Sequence, residues 1–178
     1  MIDHHLPPDP ELNRLIQASH EMLQAFATAL RSSPDAAAHI TTALHQASAD
    51  PQDTAMLKAA VDGLFDEGDW FHALPLATRL LLMAPDDPTA SYRLGTCLQR
   101  MGQHAQALAV FARCALSEGD LPSPGPLLRM GECMAALGQD EAALNALDAC
   151  LELARTNPQH AHLQAMATDK ANALRLRQ

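Results

Sequence analysis

The apolar residues Leu12, Leu15, Ile16, Met22, Leu23, Phe26 and Leu30 recur at three- and four-residue steps. That spacing places side chains on one face of a helix. Asp9 is a natural N-cap and Pro10 a natural first helical residue, because the first-turn N–H groups have no intrahelical acceptor. The pattern therefore predicts an amphipathic helix of about five turns at 3.6 residues each. Pro7, Pro8 and Pro10 make residues 1–10 a flexible leader before it. A stripe this apolar must be covered. It either caps the helices that follow or meets its twin in a second subunit, where Leu15, Met22 and Phe26 would be the contacts. Ser33-Pro34 starts a second, weaker helix through Ile40 and Leu44, so residues 11–49 form an N-terminal helical region.

From Asp50-Pro51 onward the pattern becomes periodic. Leu94-Gly95-Thr96-Cys97-Leu98, then Gly102-Gln103-His104, Ala107 and Phe111, returns as Met130-Gly131-Glu132-Cys133-Met134, Gly138-Gln139-Asp140, Ala143 and Leu147. Gly102 to Gly138, Cys97 to Cys133 and Cys114 to Cys150 are each 36 residues apart, and a fainter copy with Gly68-Asp69-Trp70, Ala73 and Ala77 lies 34 residues ahead of Gly102. Small residues at fixed offsets and a turn glycine midway through a period of about 34 signal stacked helix-turn-helix units. Three units are expected across residues 50–157, with helix breaks at Gly68, Gly102 and Gly138. Glycine suits the left-handed residue just past a helix end.

Details along the chain follow from proline chemistry. Pro75 falls beyond a first turn, so its helix either starts late or kinks there. Ser117–Pro126 carries three prolines and two glycines and reads as a connector, with the third unit running from Leu127 to about Arg155. After Asn157-Pro158, Leu163, Met166, Lys170 and Leu174 share one face of a last helix, which makes 158–178 a half-polar cap on the apolar end of an array.

Ala and Leu dominate and β-branched runs are scarce, so the fold class is all-α, an α-solenoid. The net charge of -9 disfavours nucleic acid and anionic membranes as partners, and no apolar run approaches a membrane span. The cytosol is the expected compartment. The four cysteines recur at equivalent places in two units, which is the behaviour of small buried hydrophobes, and no cysteine–histidine spacing suits zinc. No cofactor or metal is implied. His20-Glu21 opens like a zinc-protease helix, but Gln24 stands where the second histidine is required. The other histidines are scattered, and neither a phosphate loop nor a nucleophile elbow is present. The chain is read as non-catalytic.

A binding surface is a better candidate. If Leu94, Gly95 and Leu98 face the partner helix, Tyr92, Thr96 and Gln99 form a stripe on the opposite face. Shifting by the repeat period gives Lys58, Asp62 and Phe65 in the first unit, and Leu128, Glu132 and Ala135 in the third. Arg93, Arg100 and Arg129 flank the stripe. Phe65, Tyr92 and Leu128 would be apolar anchors in a concave wall, with the charged neighbours bonding a peptide backbone. Ordinary solvated helix faces are the plain alternative.

With these residues in place, the chain resembles the tetratricopeptide repeats: Leu94-Gly95, the turn glycines, Ala73, Ala107, Ala143 and Phe111 are the matching positions. A long N-terminal helix, three repeats and the Gly-Glu-Cys of the third further resemble the class II chaperones of bacterial type III secretion systems, over roughly Thr54 to Leu174. The resemblance implies a bacterial cytoplasmic protein that binds hydrophobic translocator proteins before export, holding an extended segment in the groove lined by the first helices of the repeats. It also implies homodimers through the N-terminal region. The competing reading is a tetratricopeptide-repeat adaptor that docks a folded partner or a peptide tail. A carboxylate-clamp adaptor would need Asn beside the groove arginines, and those positions lack it.

Overall fold

The computed structural model describes residues 7–32, 51–119 and 123–177. The weaker helix expected between Ser33 and Leu44, and the side chain of Leu30, lie outside the described residues. The chain divides into two compact units, Met1–Cys97 and Leu98–Gln178. All regular structure among the described residues is helical.

In the first unit, α1 spans Pro10–Ser32, α2 Pro51–Asp66, α3 Trp70–Met83, and α4 begins at Pro88 and ends at Arg100, beyond the unit boundary. The start of α1 is the one expected: the Glu11 N–H donates to Asp9 Oδ1 at 2.8 Å. The leader is fixed earlier than residue 10, however. Pro7 is buried, and its carbonyl accepts the Asn13 amide at 2.6 Å. Helix α1 packs on α3, burying Ile16 and Ser19, so part of its apolar stripe is covered within the chain. Helices α2 and α3 form the first helix-turn-helix pair around Leu57, Val61, Leu64, Leu76 and Leu80. Gly68 takes φ +73° in the turn, a conformation that costs an L residue about 1–2 kcal/mol. Asp69 then caps α3, accepting the His72 N–H at 3.2 Å and facing its ring Nδ1 at 2.7 Å. Helix α3 begins directly at Trp70 and carries Pro75 inside it, buried, so the late start does not occur.

The second unit holds α5 (His104–Ser117), α6 (Pro124–Ala136), α7 (Asp140–Arg155), a short 3-10 turn (Pro158–His160) and α8 (Ala161–Arg175). Helix α6 starts at Pro124, three residues before the Leu127 expected. Pro124 and Pro126 fall in its first turn, where a missing N–H leaves no bond unmade, so two of the three connector prolines belong to the helix. Phe111 is fully buried. Leu128, Ala143, Leu147, Cys150, Ala167, Ala171 and Leu174 form one core across α6, α7 and α8. The inner face of α8 differs in part from the one anticipated. Leu163 and Leu174 face inward as anticipated, but Ala167 and Ala171 fill the places between them, while Met166 is 38% exposed and Lys170 turns to a carboxylate on α6. Two alanines let α8 approach α7 more closely than a methionine and a lysine would allow.

Close approach also explains the glycine of the third repeat, Gly131. A Cβ on Gly131 would lie 2.8 Å from Leu147 Cγ and 2.9 Å from its Cδ2. The Gly131–Leu147 pair is thus a direct helix contact between α6 and α7, and a side chain at 131 would require Leu147 to move or the helices to part.

All four cysteines are buried, and none forms a disulfide. Burial pushes the Cys97 thiol up to about 12, and those of Cys133 and Cys150 up to about 11. Thiolates, the reactive form, are therefore almost absent at neutral pH. Titration of the native protein with an aromatic disulfide at pH 7–8 should detect few or no thiols, and after denaturation four. Fast modification of several groups in the native state would contradict the buried placement.

Candidate peptide-binding surfaces

The expected binding stripe has members in both units, and each half has its own geometry. In the first unit the charged members pair with each other. Arg93 on α4 donates Nε and a terminal nitrogen to the two carboxylate oxygens of Asp62 on α2, at 2.8 and 2.7 Å. This two-pronged geometry is the strongest form of a carboxylate–guanidinium contact. Lys58 on α2 reaches Asp87 at 2.7 Å, and Asp87 in turn accepts the Thr89 N–H and hydroxyl at the start of α4. Burial by itself would raise the Asp87 carboxyl; the bonds from Lys58 and Thr89 outweigh it and hold it below the usual carboxylate range. The sequence spacing brought these residues to one place, but as a ladder tying α2 to α4.

The uncharged members divide. Phe65 is partly exposed and leans on Trp70 with ring centroids 4.9 Å apart, and Tyr92 is also partly exposed. Thr96, expected on the same open face, is 6% exposed, and its hydroxyl donates to the Tyr92 carbonyl at 2.9 Å. It is a core residue bonded to its own helix, and offers nothing to a partner.

In the second unit the correction is larger. Leu128, taken as a solvent-facing anchor, is 1% exposed within the α6–α7–α8 core. The extra helix α8 packs here and covers that phase of α6. Glu132 and Arg129 remain on an accessible wall, joined by Gln99 and by Lys170 from α8. Glu132 accepts Lys170 Nζ at 2.8 Å, Gln99 Nε2 at 2.8 Å and Arg129 at 3.0 Å. Burial would raise this carboxyl, but the bond from Lys170, the charge of Arg129 and the remaining bonds together lower it. Arg100 lines the adjoining cleft with His104 and Met166. The sequence reading missed Lys170 and His104, and the only signal available for Lys170 was its position on the last amphipathic helix.

A separate apolar cleft of about 680 Å³ opens between α1 and α2 in the first unit, lined among others by Leu12, Leu15, Ala18, Met56 and Leu64. Met56 is 53% exposed at its edge. Leu15 belongs to this cleft, while Met22 and Phe26, further along α1, are partly exposed. Among the described residues, no cluster of His, Cys, Asp or Glu could hold a metal ion, and no helix is long and apolar enough to cross a membrane.

Solved structures with this arrangement are numerous. PcrH in complex with the chaperone binding region of PopD is 27% identical, over 72% of this chain and 96% of that one, with a TM-score of 0.67. This chain has the fold of the type III secretion translocator chaperones. PcrH from Pseudomonas aeruginosa alone is 26% identical over 70% and 93% of the two chains, with a TM-score of 0.65. The Yersinia enterocolitica chaperone SycD with a peptide of the translocator YopD is 21% identical over 72% and 96%, also at 0.67. A family model described as anaphase-promoting complex, cyclosome, subunit 3 matches residues 66–150, in keeping with the tetratricopeptide-repeat class. No curated protein sequence matches the chain.

The Glu132 cluster makes a pH dependence testable. Its carboxyl is lowered from 4.5 in the folded state, so the stability it contributes is complete above that value and is lost as pH falls through the lower, folded value. Glu132→Gln should therefore flatten the fall of stability between about pH 5 and pH 3, as read by denaturant midpoints across that range. Parallel pH curves for the variant and the parent would show that the cluster is not coupled to folding.

Proposed function

We propose that the chain is a non-catalytic chaperone of the bacterial cytoplasm that binds an extended segment of a hydrophobic secreted translocator and keeps it in solution before export. The observation that carries this reading is the likeness to PcrH across nearly all of that chain, since PcrH is solved with the chaperone binding regions of two partners, PopD and PopB. The surface chemistry supports it. Phe65 and Tyr92 supply partly exposed rings in the first unit, beside the ion pairs of Lys58, Asp62 and Arg93. Gln99, Arg100, Arg129 and Glu132 supply polar groups in the second. A paired charge at such a surface can exchange its partner for a peptide group while remaining satisfied, which limits the desolvation cost of binding.

Co-expression with a hydrophobic translocator from the same host tests this. The wild-type chain should keep the translocator in the supernatant and co-purify with it. Phe65→Ala with Tyr92→Ala should weaken that association by about ten- to a hundredfold, the usual effect of losing interface anchors, with the helical signal unchanged. A translocator that remains insoluble beside the wild-type chain would instead favour the adaptor reading, to which the match with a subunit of a large assembly lends weight.

The same reading includes a homodimer through α1. Part of its stripe is spent on α3, but Leu15, Met22 and Phe26 keep exposed area. Met22→Glu with Phe26→Glu should convert a dimer into a helical monomer by light scattering at micromolar concentration. A wild-type chain that is already monomeric under those conditions would leave α1 as an intramolecular cap alone.

A further inference from the structure

The apolar cleft of about 680 Å³ between α1 and α2 lies within the first unit, and none of Lys58, Asp62, Phe65, Tyr92 or Arg93 lines it. We propose that it is a second docking site, which receives an amphipathic helix of another protein carrying lysine or arginine beside its apolar face. The site stands apart from the peptide-binding surface above and does not depend on it.

The first argument is that α2 is apolar on two sides. Leu57, Val61 and Leu64 are buried in the first helix pair. Met56, Ala59, Ala60 and Gly63 recur at steps of three and four on a further face of the same helix and line the cleft. Met56 is 53% exposed there, and Leu12, Leu15 and Ala18 of α1 form the opposite wall. From Met56 to Glu67 the α2 wall is about 16 Å long at the usual helical rise, which matches about three turns of a partner helix. A trough between two helices is the shape into which an amphipathic helix lays its apolar face.

The second argument is Gly63. Glycine inside a helix weakens it relative to alanine, and at Gly131 the reason is Leu147, which fills the space of the absent Cβ. At Gly63 a Cβ would meet nothing within 4 Å, so no described residue of the chain uses that space. The missing side chain deepens the cleft wall and lets a second backbone come close.

The third argument is charge. Asp9, Glu11 and Glu67 line the cleft with a single base, Arg14. Asp9 spends its carboxylate on the first N–H groups of α1. Glu11 and Glu67 are exposed, and neither is in an ion pair among the described residues. Asp66 and Glu67 also close α2 at the end where the helix dipole disfavours negative charge, and its last turn carries no basic residue to offset them. A lysine or arginine of the partner supplies that cation, while an acidic helix is repelled. A second copy of this chain is the weaker occupant. Its α1 carries as many acidic as basic residues, and Met22 and Phe26 lie outside the cleft.

The test uses the full-length protein and two fluorescein-labelled eighteen-residue peptides that share a leucine face at helical spacing. One carries lysine at its polar positions and the other glutamate. By anisotropy, the lysine peptide should bind at least about tenfold more tightly, and the gap should narrow as salt screens the charges. Glu11→Gln with Glu67→Gln should cut the affinity for the lysine peptide about tenfold. Gly63→Leu should abolish binding by filling the cleft, with an equal or higher melting temperature, because the new side chain enters open space. Phe65→Ala with Tyr92→Ala should leave this binding unchanged. Equal affinity for the two peptides, or undiminished binding in Gly63→Leu, would overturn the proposal. A lower melting temperature in Gly63→Leu would mean that the cleft is filled from within the chain, and loss of a homodimer in that variant that a second copy fills it; either result overturns the proposal as well. Failure of the wild-type chain to hold a co-expressed translocator bears on the chaperone reading alone, so the two failures are distinct.

Discussion

The contact between Gly131 and Leu147 is the constraint on which the second unit depends. Removing a side chain from a helix interior costs about 1 kcal/mol in intrinsic propensity relative to Ala, so a helical glycine needs a packing reason. Here the reason is geometric: Leu147 occupies the space where a Cβ would be. Around this contact Leu128 and Leu147 are packed among small residues. Cys133, Ala143 and Cys150 are buried in α6 and α7, and Ala167 and Ala171 extend the pattern to α8. The cysteines need no redox chemistry to account for their recurrence, because a repeat that stacks at constant spacing calls for the same volume at the same register.

Polar groups complete what the small residues begin. Asp62–Arg93 and Lys58–Asp87 join α2 to α4, and Glu132 joins α6 to α8 through Lys170. Ion pairs of this sort contribute modestly to stability when exposed, the median being about 0–1 kcal/mol. Their larger effect is on orientation, since a two-pronged arginine contact or a three-donor carboxylate is satisfied in only one arrangement of the helices. Under the proposed function the same groups would also flank the bound segment, which would then be read by side chains that are already positioned.

The alternative placements of α1 follow from the same physics. Its stripe is wider than α3 can cover: Ile16 and Ser19 are buried, while Leu12 and Leu15 open onto the apolar cleft beside α2. An apolar cleft next to a partly uncovered amphipathic helix is a surface with area left to bury.

Local chemistry made much of this legible in the sequence. Asp9 and Pro10 announced the start of α1, Gly68, Gly102 and Gly138 announced the turns, and the registered cysteines announced their own burial, because capping, positive φ and repeat spacing are properties of short stretches. Which face of each helix met a neighbour was not determined in this way. Leu128 and Thr96 looked open because a helical face was assigned from one partner, whereas α8 supplies a second contact at Leu128, and Thr96 is buried with its hydroxyl on the Tyr92 carbonyl. Within α8, Leu163 and Leu174 pack as expected, but Ala167 and Ala171 take the inner places assigned to Met166 and Lys170, because alanines pack closer. Lys170 and His104 became candidates only in three dimensions. Their meeting with Glu132 and Gln99 depends on how separate helices stack, and no spacing within one helix encodes that. The sequence by itself determined the helices, their breaks and the repeat; tertiary packing decided which side chains remained exposed to bind, because exposure is a property of neighbours far away in the chain.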